Sequence, residues 1–177
     1  MNILAISGSL RQASLNTLLL RAVARLAPAG IEVALYRGLG ELPLFNPDLD
    51  ADACAPVADL KQRILRADAL LIASPEYAHG VTGAIKNGLD WMVGNESFVD
   101  KPVALLNASP RAVHALAALR ETLVTMSARL VDGACMTVPL LGSGLDESDI
   151  LEHPEWAPAL IDMLHTLGRA AGHDGDV

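Results

Sequence analysis

Five short, almost wholly apolar runs recur along this chain, and each is followed by residues at helical spacing. The runs are ILAIS (Ile3–Ser7), IEVALY (Ile31–Tyr36), ALLIAS (Ala69–Ser74), PVALLNAS (Pro102–Ser109) and ACMTVPLL (Ala134–Leu141). Their length and their glycine and proline neighbours suit buried strands better than buried helices. Helices are expected over Leu15–Ala27, Val57–Ala67, Thr82–Val93, Ala112–Leu130 and Pro158–Ala170, with Ser14 capping the first. LPLFNPDLD (Leu42–Asp50) is too rich in proline to join a central ladder. Strands separated by helices pair in parallel, because parallel neighbours need crossovers. The fold class is therefore α/β, one parallel sheet with helices on both faces. Ligands of such sheets bind beyond the carboxyl ends of the strands, where the strand order reverses.

No linker or repeat divides the 177 residues, so a single domain over 1–177 is expected, with GHDGDV (Gly172–Val177) frayed. The net charge of −8 and the absence of a Lys/Arg cluster argue against a nucleic-acid partner. An anionic ligand must then be held by local geometry against the overall field. Cys54 and Cys135 form no CxxC, the histidines show no HExxH, and no metal site is expected. There is no basic leader, and no apolar run approaches the roughly 20 residues that span a bilayer. A cytoplasmic protein without a membrane partner is the expectation.

The segments that matter follow the first, third and fourth strands. SGSLRQASLNT (Ser7–Thr17) opens a helix whose first N–H groups lack partners within it, which suits an anion. Ser9, Ser14, Asn16 and Thr17 add neutral donors, and Arg11 a positive charge. The plainer reading is a turn at Gly8, a cap at Ser14 and a solvated Arg11. The spelling fits neither GxxxxGK[ST], GxGxxG nor GxSxG, leaving a terminal monophosphate as the anion of choice. SPEYAHG (Ser74–Gly80) offers the face of Tyr77 to a planar heterocycle, with backbone groups from Tyr77 to Gly80 at its edge. A half-buried tyrosine in a turn and a surface His79 are its plainer reading. Lys86 and Asp90 are an i,i+4 pair of the kind found on solvated helix faces. The third segment is NASPRAV (Asn107–Val113).

Taken together these residues resemble the NADPH-dependent FMN reductase family. The matching pieces are Gly8-Ser9-Leu10-Arg11, Ser14, Asn16-Thr17, Pro75-Glu76-Tyr77, Lys86-Asn87 and Asp90-Trp91, over roughly residues 1 to 130. The resemblance implies a flavodoxin-like, five-stranded parallel sheet of order 2-1-3-4-5. It implies FMN, with phosphate on Ser9, Arg11, Ser14, Asn16 and Thr17, and the isoalloxazine near Pro75, Glu76, Tyr77, Ala78, His79, Gly80 and Ser109. Arg111 and His114 stand beside the third loop as contacts for NADPH or NADH, the hydride donor. A small-molecule electron acceptor is implied: a quinone, free flavin, metal oxyanion or azo compound. No catalytic acid, base or nucleophile is named, since the cofactor carries the redox chemistry. A homodimer or homotetramer is implied, and exposed Trp91 and Met92 would suit its interface. Two places depart from the family. Ala78 stands where many members have asparagine, and Ser109-Pro110-Arg111 replaces a glycine-rich loop, with no N–H at Pro110. A flavodoxin-type electron carrier and a flavin-free nucleotide-binding protein are the rival readings.

Overall fold

The computed structural model describes residues 1–173. Strands β1 (Asn2–Ser7), β2 (Glu32–Tyr36), β3 (Ala69–Ala73) and β4 (Pro102–Asn107) alternate with helices α1 (Leu15–Leu26), α2 (Ala55–Arg66) and α3 (Gly83–Met92). Helix α4 (Val113–Thr125) leads to two short strands, β5 (Arg129–Leu130) and β6 (Met136–Thr137), then to α5 (Glu147–Glu152) and α6 (Trp156–Ala170). The sheet order is β2-β1-β3-β4-β5, with β6 also on β4, and every pairing is parallel. The flavodoxin-like order expected from the sequence is thus present, with one additional strand.

Alternation along the strands divides the core in two. Ile3, Ala5 and Leu71 face α1 and α6, where Leu19, Val23, Leu160 and Leu164 are buried. Leu4, Ile6, Leu70 and Ile72 face α2, α3 and α4 through Leu60, Ile64, Ile85 and Leu119. β3 is buried along its whole length, and each large side chain in it contributes roughly 1.5–3 kcal/mol of burial. Gly88 lies mid-helix because α3 packs closely on the turn Gly38–Glu41: a Cβ there would come within 2.8 Å of Leu39. That contact explains a glycine that propensity alone disfavours.

Several sequence expectations need correction. The helix expected over Ala112–Leu130 ends at Thr125. Ser127 takes a left-handed φ of 62°, and the Ala128 N–H donates to Leu123 O at 3.0 Å, closing the helix with a Schellman-type bond. Arg129 and Leu130 then join the sheet instead. The fifth strand expected over Ala134–Leu141 is reduced to Met136–Thr137, because a helical turn at Asp132–Ala134 interrupts the edge and Pro139 has no N–H. Cys135 fills the resulting gap, its Sγ accepting the Leu105 N–H at 3.3 Å. Helix α5 was not expected, although Asp146 and Asp149 form a capping box there. Trp91 and Met92 are buried, not exposed, and Trp91 Nε1 donates to Pro43 O at 2.8 Å. Asp174 to Val177, most of the tail expected to fray, lie outside the described residues. No helix among the described residues is long and apolar enough to cross a membrane.

Candidate functional site

The loops after β1, β3 and β4 meet at the carboxyl end of the sheet around a cleft of about 300 Å³. In the first loop, Gly8 is held at both ends of its backbone. Its N–H donates to Ala73 O (2.8 Å), and its carbonyl accepts the Thr82 hydroxyl (2.5 Å). A Cβ at Gly8 would stand 2.2 Å from Ser74 Oγ, so this approach of β1 to β3 requires glycine. Ser7 Oγ accepts the Ser9 N–H at 3.3 Å, and Ser9 Oγ accepts the Arg11 N–H at 3.3 Å. Ser14 Oγ caps α1 by accepting the Thr17 N–H at 3.3 Å.

The first turn of α1 holds no acidic residue. Among the described residues, the N–H groups of Gln12, Ala13, Leu15 and Asn16 find no acceptor. Asn16 is buried, and its Oδ1 is shut from solvent without a partner. An unpaired buried amide oxygen costs on the order of 1–3 kcal/mol, and this one belongs to a residue of the cleft wall. Arg11 is exposed and makes no ion pair among the described residues. Ser9, Arg11, Ser14 and Asn16 all line the cleft. Thr17 does not: its hydroxyl is bonded to Ser7 Oγ at 2.7 Å.

The second loop contributes Pro75, Glu76 and Tyr77 to the lining, whereas Ala78, His79 and Gly80 lie outside it. Tyr77 and Gly80 exchange backbone hydrogen bonds of 3.1 and 3.0 Å across a turn in which Ala78 (φ 49°) and His79 (φ 59°) are both left-handed. Non-glycine residues in that region cost roughly 1–2 kcal/mol each. Glu76 points to the start of α4. One carboxylate oxygen accepts the Ala115 N–H at 2.8 Å, and the other lies 3.1 Å from His79 Nδ1. The N-cap of that helix, Ala112, has no side chain able to cap it, so the cap comes from another loop. The Ala115 bond, helped by the His114 N–H and the two imidazoles, holds the Glu76 carboxyl below its ordinary range.

In the third loop, Asn107 Oδ1 accepts the Ser109 N–H (3.1 Å) and Ser109 Oγ accepts the Arg111 N–H (3.3 Å). Ser109 and Arg111 line the cleft, and Arg111 makes no ion pair among the described residues. The lining also includes Asn107, Ala108 and Leu141, which sequence reasoning did not single out. Asn107 could have been found from its place two residues before Ser109, the spacing of an Asx turn. Nothing in the spelling marks Leu141. Chemically, the cleft combines unsatisfied donors and the unpaired Arg11 at the start of α1 with a half-exposed aromatic face, which suits a planar molecule carrying a terminal anion.

The model for NADPH-dependent FMN reductases matches residues 1–140. The chain belongs to that family. A quinone reductase of Pseudomonas putida is 32% identical over 145 residues, spanning 78% of this chain and 75% of that protein. An NAD(P)H-dependent FMN reductase of Pseudomonas aeruginosa is 38% identical over 128 residues, 69% of each chain. Among solved structures, the flavoenzyme NAD(P)H:acceptor oxidoreductase FerB from Paracoccus denitrificans has a TM-score of 0.79 and 29% identity. That match covers 97% of this chain and 98% of FerB. For an FMN reductase family member, the free N–H groups at the open start of α1 and the neighbouring Arg11 fit a flavin phosphate, and Tyr77 fits its ring system.

Proposed function

We propose that this chain is an FMN-dependent oxidoreductase that takes hydride from NADPH or NADH and reduces a small acceptor, a quinone first among them. The observation that carries the reading is the cleft wall at the start of α1. Free N–H donors at the helix start and an unpaired arginine converge there, in a chain of this family. Bound FMN supplies the hydride and electron transfer that no side chain here could provide. The protein binds and orients. Arg11, Ser9 and the free backbone N–H groups of the α1 start, that of Asn16 among them, hold the phosphate, and Ser14 fixes the helix end that presents them. Tyr77 and the Tyr77–Gly80 backbone hold the ring, Ser109 closes the opposite wall, and Arg111 meets the nicotinamide nucleotide. Quinone as acceptor is favoured by the relatives named quinone reductase.

The same reading extends to a single domain over 1–177, working as a homodimer or homotetramer in the cytoplasm. Both cysteines are free, which suits a reducing compartment. Leu44 (84% exposed) and Phe45 (42%) form an apolar edge strapped to α3 by Asn87, a surface that suits a second copy.

The test is anaerobic spectroscopy of the protein reconstituted with FMN. NAD(P)H is expected to bleach the flavin, a quinone to restore its colour, and chromatography of the released cofactor to give FMN. A flavin reduced by dithionite alone would identify an electron carrier, and stoichiometric FAD or no flavin would overturn the reading.

A further inference from the structure

Ala78 and His79 are consecutive non-glycine residues in left-handed backbone. Such a pair persists only where its surroundings over-determine it. The reciprocal bonds between Tyr77 and Gly80 close the turn but do not fix where it stands. The His79 side chain is 78% exposed, so its neighbours hold it by few contacts. One is Glu76, whose Oε1 lies 3.1 Å from His79 Nδ1; another is His114, whose ring meets the His79 ring edge-on at 4.6 Å. Glu76 itself is well anchored. Its side chain is only 12% exposed, and its second oxygen takes the Ala115 N–H. The turn so held begins with Tyr77 in the cleft wall, and it leaves the N–H groups of Ala78 and His79 unpartnered among the described residues.

We propose that Glu76 is a positioning residue: acting through His79, it fastens the Tyr77–Gly80 turn to the start of α4 and thereby sets the cleft's grip on the ring end of the flavin. The inference rests on the flavin reading of the cleft. Both Glu76 oxygens are engaged, one with the α4 start and the other with the imidazole, and it is through these two bonds that the carboxylate acts on the turn. The strain at Ala78 makes the tie necessary, since an untied turn relaxes to an ordinary backbone and shifts Tyr77, with which it begins, in the cleft wall.

The experiment is fluorescence titration of wild type, Glu76→Gln, His79→Ala and the double variant His79→Ala/Ala78→Gly, each with FMN and with riboflavin. Riboflavin reports the ring end alone. Glu76→Gln and His79→Ala are expected to weaken both ligands by the same factor, roughly five- to tenfold, as befits one lost hydrogen bond of ordinary strength at a largely exposed imidazole. Ala78→Gly makes the left-handed turn inexpensive and is expected to return the His79→Ala protein to within about twofold of wild type. Unchanged affinities would overturn the proposal. So would a loss confined to FMN, which belongs to the phosphate end, or one that Ala78→Gly leaves in place, which means direct contact by His79. Wild type that binds neither flavin would instead fail the flavin reading itself, and is seen before any variant is compared.

Discussion

Ser7-Gly8-Ser9-Leu10-Arg11 and Asn107-Ala108-Ser109-Pro110-Arg111 stand at the ends of β1 and β4 and pass through the same series of hydrogen bonds. In each, the first side chain accepts the N–H two residues on, and the serine there accepts the N–H of an arginine two residues further. Each arginine lines the cleft and is free of carboxylates among the described residues. The two loops part ways at the helices they open. Helix α1 is capped by the neutral hydroxyl of Ser14 and keeps its remaining donors open, whereas α4 already holds an anion, the Glu76 carboxylate. An anion at a helix start gains about 0.3–1 kcal/mol, up to about 2 in partly buried geometry. At α4 that gain is already taken. Pro110 also lacks the N–H that Leu10 has. The same loop plan is therefore an anion cradle after β1 and a wall after β4.

The largest effect is expected where the two plans differ by one methyl group. Gly8→Ala drives a Cβ into Ser74, and relief requires β1 and β3 to part. We expect a loss on the order of 1–3 kcal/mol in denaturant unfolding, together with loss of FMN binding. Its mirror, Ala108→Gly, removes a buried methyl group without a clash and is expected to cost about 0.5–1 kcal/mol with FMN binding kept. Equal behaviour of the two variants would break the comparison.

A smaller effect sharpens it through pH. The folded carboxyl of Glu76 is held below the ordinary 4.5, so its stabilisation is complete above that pH and is lost as pH falls through the lowered folded value. Thermal midpoints followed from pH 7 to 3 are expected to fall less steeply below about 4.5 in Glu76→Gln than in wild type. Parallel curves would show that α4 is not capped by this carboxylate.

Much of this contrast was written in the chain. Ser14 before a periodic apolar run marked the α1 cap, and the five apolar runs marked the sheet, because both signals are local. Glu76 was legible as a cleft residue but not as the cap of α4, since its partner, Ala115, lies 39 residues away. The end of α4 was hidden for a different reason: Ser127 takes the left-handed position that glycine normally announces. The broken edge strand depended on Cys135 replacing a ladder acceptor for Leu105, a substitution that no periodicity reveals. Thr17, grouped with the phosphate donors by its neighbours in sequence, is turned inward to Ser7.

The central claim is that the phosphate belongs to the loop after β1 and not to its counterpart after β4. Titration of Arg11→Ala and Arg111→Ala with FMN and with riboflavin tests it most directly. Loss of a charge-assisted hydrogen bond of about 1.5–3 kcal/mol is expected to weaken FMN binding to Arg11→Ala roughly tenfold to a hundredfold, with riboflavin unchanged. Arg111→Ala is expected to keep the wild-type ratio of FMN to riboflavin affinity. A ratio that collapses in Arg111→Ala and survives in Arg11→Ala would place the phosphate after β4 and contradict the account.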